Sequence, residues 1–141
     1  MLRIIVLILA LLSVGCAPLG YPVASWQYVQ QQRVAAGVPA LEWDGALAVS
    51  AQARAQGVAA LGVLDHGGAQ AASDVFYGDR PSICELLGNQ PTWTGYHAIG
   101  YGWIRSPAHR GCALGANYRR AGMGAAVGAD GWIYEVLWLT E

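Results

Sequence analysis

At 141 residues the chain has room for one domain around a single core, which excludes two large domains. Eight basic residues, all Arg, stand against nine acidic ones for a formal charge of −1, so there is no basic field of the kind that binds nucleic acid.

Met1-Leu2-Arg3, the apolar run from Ile4 to Leu12 and the small residues up to Cys16 form a charged start, a hydrophobic stretch and a cleavage-like end. The run falls short of the roughly 20 apolar residues that span a bilayer. Residues 1–15 are therefore predicted to be a signal peptide that directs export. Ser13-Val14-Gly15-Cys16 resembles a bacterial lipoprotein signal, in which the cysteine takes the lipid, with Ser13 standing where a branched apolar residue is usual. That resemblance implies a membrane anchor in the cell envelope through Cys16; cleavage near Ala17, giving a secreted protein, is the alternative. Without Arg3, seven basic residues face nine acidic ones, for a formal charge of about −2. Cys84 and Cys112 then remain, an even pair that suggests one disulfide in an oxidising compartment.

Pro18 to Pro22, with Gly20, predicts a spacer over 16–25 ahead of a domain at 26–141. A helix follows over 26–36, with Trp26, Val29, Arg33 and Ala36 on one face, and Gly37 and Pro39 ending it. Asp44 is placed to cap a second helix over 45–60, in which Leu47, Ala51, Arg54 and Val58 share a face. Residues 62–80 are rich in Gly, Ala, Asp and Ser and predict a loop. A third helix is expected over 94–103, and Ser106-Pro107 is a helix start with a hydroxyl able to cap. Met123, Ala125 and Val127 alternate before Ala129-Asp130-Gly131, and Trp132, Tyr134, Val136 and Trp138 alternate after it, which predicts a hairpin. Helices first and a hairpin last make an α+β domain with helices packed on a small antiparallel sheet.

His66, Glu85 and His109 are the candidate site residues. If Cys84 and Cys112 are joined, their Cα atoms lie within about 7 Å, which draws the neighbouring Glu85 and His109 together. A histidine in the first turn of a helix is favoured in its neutral form, able to ligate a metal or accept a proton. His97 has no motif around it and is read as structural or exposed. Glu135, inside an apolar strand, is an outward position or the partner of an arginine. Trp132 and Trp138 are expected to pack between sheet and helices, and Trp93 and Tyr96 to pack or to border a groove.

Gln30-Gln31-Gln32-Arg33, Gly37-Val38-Pro39-Ala40-Leu41-Glu42-Trp43-Asp44, Leu47-Ala48, Ala51-Gln52 and Ala55 resemble the opening of the CAP domain, the superfamily of cysteine-rich secretory, antigen 5 and pathogenesis-related proteins. Leu64-Asp65-His66 is similar to its first histidine segment, and Trp103-Ile104-Arg105-Ser106-Pro107-Ala108-His109-Arg110 to its bacterial second histidine motif. Tyr118, Gly122-Met123-Gly124 and the stretch from Trp132 to Trp138 complete the order.

The resemblance implies an α–β–α sandwich with a cleft holding His66, His109 and Glu85. It also raises the prospect of a divalent metal such as zinc on those three residues. Two departures bear on that cleft: the family's Gly-Glu-Asn reads Cys84-Glu85-Leu86, and Ser106 stands where many members carry a second acid. The leading expectation is a domain, more binding than catalytic, that takes an apolar ligand such as a lipid, a cell-wall component or an envelope protein. A metal-assisted or histidine-based hydrolase of peptides or wall material, and a purely structural envelope protein, are the other readings. Ser106 is read as a cap rather than a nucleophile.

Overall fold

The computed structural model describes residues 20–68, 83–94 and 98–141. The predicted signal segment with Cys16, the start of the predicted spacer, most of the expected loop, Tyr96 and His97 lie outside them.

Helix α1 spans Gly20–Ala35 and so begins six residues ahead of the expected Trp26, within the stretch read as spacer. Pro22 falls in its first turn, where the missing N–H costs no helical hydrogen bond. Gly37, at φ +71°, ends it as expected, and the Val38 N–H turns back to the Arg33 carbonyl at 3.0 Å. Val29 and Arg33 are buried on the predicted face, but Ala36 lies past the helix end and is exposed. The Arg33 guanidinium donates to the carbonyls of Pro39 (2.8 Å), Ala113 (2.7 Å), Gly115 (3.1 Å) and Tyr118 (3.1 Å), and burial lowers its pKa. One inward-pointing side chain thus ties the α1–β1 connection and the chain from Ala113 to Tyr118 to α1.

After a two-residue strand β1 (Glu42–Trp43), helix α2 runs over Gly45–Leu61. Asp44 caps it as expected, its Oδ1 accepting from the N–H groups of Ala46 at 2.9 Å and Leu47 at 3.1 Å. Gly62, at φ +66°, closes it through its N–H to the Val58 carbonyl. A single 3₁₀ turn follows at His66–Gly68, held by Asp65 Oδ1 accepting from the Gly67 N–H at 2.8 Å.

Strand β2 (Ile83–Pro91) precedes α3 (Ala98–Arg105) and α4 (Pro107–Ala113), and β3 (Arg120–Val127) and β4 (Trp132–Thr140) close the chain. Helix α3 is thus displaced towards the C-terminus relative to the expected 94–103. The hairpin forms where Asp130-Gly131 predicted it: Gly131 takes φ +77°, and Asp130 Oδ1 accepts the Trp132 N–H at 3.0 Å. The sheet order is β1-β3-β4-β2, with β2–β4 and β3–β4 antiparallel but β1–β3 parallel. Strands β3, β4 and β2 form the small antiparallel sheet expected, and the two-residue β1 adds a parallel edge to it.

Helix α2 covers one face through Leu47, Ala51, Ala55 and Val58 against Leu87, Tyr134, Val136 and Trp138. Helices α1, α3 and α4 cover the other through Val29, Ile99, Trp103 and Ala113 against Leu86, Met123, Ile133, Leu137 and Leu139. This is the α–β–α sandwich. Trp138 is fully buried and Trp132 packs partly buried, whereas Trp93 is exposed. Glu135 corrects its expectation: it points inward, 1 % exposed, with no arginine hydrogen-bonded to it among the described residues, because the ladder aligns it with Ile133 and Leu137 under α1. Among the described residues no helix is long and apolar enough to cross a membrane.

Candidate functional site

Glu85 stands on β2 opposite Trp138 of β4, on the α2 face of the sheet. Its side chain is 4 % exposed, a position a carboxylate tolerates only when hydrogen bonds and charge replace water. Trp138 Nε1 donates to Glu85 Oε2 at 2.8 Å, and Arg54 Nε donates to the same oxygen at 3.1 Å. Oε1 takes the more distant Arg54 Nη2 at 3.4 Å and meets His66 Nδ1 at 3.0 Å. Arg54 also donates to the Asp65 carbonyl, which fixes the turn that carries His66. The carboxylate is therefore saturated, and its charge is balanced by a guanidinium.

His109 lies on α4, one turn before Cys112, and that cysteine is joined to Cys84 with Cα atoms 6.1 Å apart. The expected disulfide is present and ties α4 to the β2 residue preceding Glu85. The His66 and His109 rings come to 6.3 Å between centroids at 42°. Desolvation, reinforced by neighbouring His66, lowers the His109 pKa, so its imidazole is neutral at neutral pH. The three residues named from sequence thus converge, but through different contacts: Glu85 orients His66, while His109 faces His66 without bonding Glu85.

A divalent metal does not fit this arrangement. Among the described residues no three His, Cys, Asp or Glu side chains are grouped to hold an ion. Glu85 already engages Arg54, whose guanidinium would repel a cation, and two imidazoles fall short of the three protein ligands of an open zinc site.

Ser106 precedes Pro107 at the predicted start of α4, but its hydroxyl makes no capping hydrogen bond, which corrects the expected cap. Proline at the first helical position supplies the start instead. Ser106 and His109 both line a pocket of about 300 Å³ between β2, α3 and α4. With Glu85 turned to His66, a Ser106–His109–Glu85 relay is not assembled among the described residues.

Arg54 and Trp138 are the site residues that sequence reasoning missed. An arginine among the apolar positions of α2 was the available signal; the tryptophan looked like packing and carries a donor as well.

The match to the family model for the cysteine-rich secretory protein family covers residues 26–139. No curated protein matches the chain. Among solved structures, an outer surface protein of Borrelia burgdorferi superimposes with TM-score 0.72 at 15% identity, over 82% of this chain and 88% of that one. A cysteine-rich secretory protein of Staphylococcus aureus gives 0.67 at 19% identity, over 91% of this chain and 40% of that one. An extracellular protein of Bacillus anthracis containing this domain gives 0.66 at 18% identity, over 86% and 41%. The chain thus spans about two fifths of the two latter proteins. At such identities these structures speak to the fold alone, and the fold agrees with the order of motifs and with the family match across both sheet faces: the chain belongs to the cysteine-rich secretory protein, or CAP, family.

Proposed function

We propose that the chain is an exported CAP domain, anchored in a bacterial envelope by lipid on Cys16, that binds rather than transforms its ligand at the His66/Glu85/His109 cleft. The ligand classes that suit it are an apolar molecule, a cell-wall component or an envelope partner. One observation carries the reading: Glu85, the cleft's carboxylate, is spent on Arg54, Trp138 and His66 and so is left neither as a metal ligand nor as an orienter of His109. Among the described residues such a cleft has fixed shape and polarity, with no assembled nucleophile–base pair and no grouped metal ligands. The relatives named as outer-surface or extracellular proteins support export.

Native mass spectrometry of the full chain purified in mild detergent tests the reading. The expected result is a retained small molecule, or one acquired from extracted envelope material, whose occupancy falls in His66→Ala and His109→Ala. Turnover of peptides or wall material that His109→Ala abolishes in a folded protein would replace binding with hydrolysis. Absence of any bound molecule, with cleft variants behaving normally in cells, would leave a structural role.

A further inference from the structure

A lipid on Cys16 would hold one particular end of the domain against the bilayer. Helix α1 sets Ser25 against Gly100 and beside Glu135, which is level with Ala125 of β3, and sets Arg33 against Tyr118, just ahead of the start of β3. The helix therefore runs from the β3–β4 turn towards the start of β3. Its first residue, Gly20, lies five positions before Ser25, about 7.5 Å nearer the turn. Cys16 precedes Gly20 by four positions, which span at most about 14 Å. Thr140, at the other end of β4, is about 26 Å from the turn end of that strand, farther than such a tether reaches.

The turn end carries apolar side chains that the fold leaves uncovered. Leu61, the last residue of α2, follows the buried Val58 by three positions and shares its flank of the helix, yet is 77 % exposed. Val63 is exposed beyond it, and Gly62 between them stands beside Asp130 of the turn. Trp93 is 78 % exposed, next to Thr92, whose N–H donates to the Gly131 carbonyl at 3.2 Å. Val127, the last residue of β3, is exposed on the α1 side, two positions after Ala125. Large apolar side chains gathered on one rim mark an interaction surface. Asp65 and Asp130 are the charged residues of 59–65, 91–94 and 126–132, with no arginine among them, so charge gives this rim no grip on an anionic surface. Its chemistry suits the boundary between headgroups and acyl chains, where an indole is favoured and aliphatic side chains leave water.

We propose that the rim formed by Leu61, Val63, Trp93 and Val127 sits in the headgroup layer of the membrane that carries the lipid on Cys16, so that the domain stands on the bilayer by its hairpin end. This rests on the anchoring reading above and adds the face that meets the membrane. Four side chains are too few to hold the domain there alone; they orient a domain that the acyl chains retain. Trp43, exposed near the start of β3, then faces away from the bilayer.

Tryptophan emission of the acylated protein, purified from envelope membranes and reconstituted in phosphatidylcholine vesicles, tests this. Bromine on the acyl chains quenches only indoles close to the hydrocarbon. Brominated vesicles should lower the emission relative to unbrominated ones, equally at low and high salt. Trp93→Phe should remove most of that loss, and Trp43→Phe should leave it in place. Leu61→Gln combined with Val63→Ser should at least halve it, with thermal unfolding in detergent unchanged because both side chains are exposed. Absence of quenching in protein whose intact mass carries the acyl chains would overturn the proposal while leaving the anchor standing. Quenching that survives Trp93→Phe would overturn it in favour of another face. A dimer in detergent that the Leu61/Val63 variant dissociates, with no quenching in vesicles, would overturn it in favour of a second copy of the chain. An intact mass without acyl chains would remove the anchor and this proposal with it.

Discussion

At Glu135 burial raises the carboxyl pKa to about 8, partly offset by the nearby Ser25 hydroxyl, and neither carboxylate oxygen has a hydrogen-bond partner among the described residues. A carboxyl whose pKa rises on folding holds more protons in the folded than in the unfolded chain, so stability falls as pH climbs from about 4.5 to about 8. Glu135→Gln should remove most of that slope and raise the unfolding midpoint at pH 8 by several degrees, read by thermal melts across the range. His109 behaves in the opposite sense. Its lowered pKa means that stability is complete above its ordinary value near 6.5 and is lost as pH falls through the folded value. NMR titration should place its midpoint below 6.5, and His66→Gln should raise it part of the way, because desolvation is the larger cause.

Between elements, β3 meets α2 with almost no side-chain thickness. A Cβ on Gly124 would lie 2.3 Å from the Gln52 backbone, and one on Gly122 2.1 Å from the Ala48 nitrogen. Gln52 exploits the closeness by donating to the Ala125 carbonyl at 2.9 Å and accepting its N–H at 3.1 Å. Gly124→Ala should cost at least about 2 kcal/mol, since only a shift of the whole helix makes room; urea unfolding measures it. The Cys84–Cys112 bridge joins β2 to α4 across 28 residues, a loop whose closure is worth about 3.5 kcal/mol in the chain-entropy account. Cys84→Ser with Cys112→Ser should lower stability by that order, and intact mass without reductant should show no free thiol at either position in the parent domain. Strand β2 itself was not legible. Its Gly88 and Asn89 weaken any alternation, and it is held by pairing with β4, some fifty residues away in sequence.

For the molecule as a whole, the proposed anchor and the cleft are separable. Cys16→Ser should release the protein from envelope membranes into the soluble fraction while leaving folding and ligand occupancy unchanged, as fractionation and the mass measurement would show. Local chemistry was readable from the residues alone: the Asp44 cap, the Gly37 stop, the Asp130-Gly131 hairpin and the Pro107 helix start each depend on neighbours a few positions away. The ordered motifs also carried the family, and with it the convergence of His66, Glu85 and His109. Only the tertiary structure decided what that convergence amounts to. Arg54 reaches Glu85 across 31 positions and Trp138 reaches it across 53, and those contacts determine that the carboxylate is neutralised and bound to His66. Side-chain chemistry announces which groups can ionise, ligate or cap; which of them meet, and which are left facing an open pocket, follows from long-range packing that no local pattern encodes.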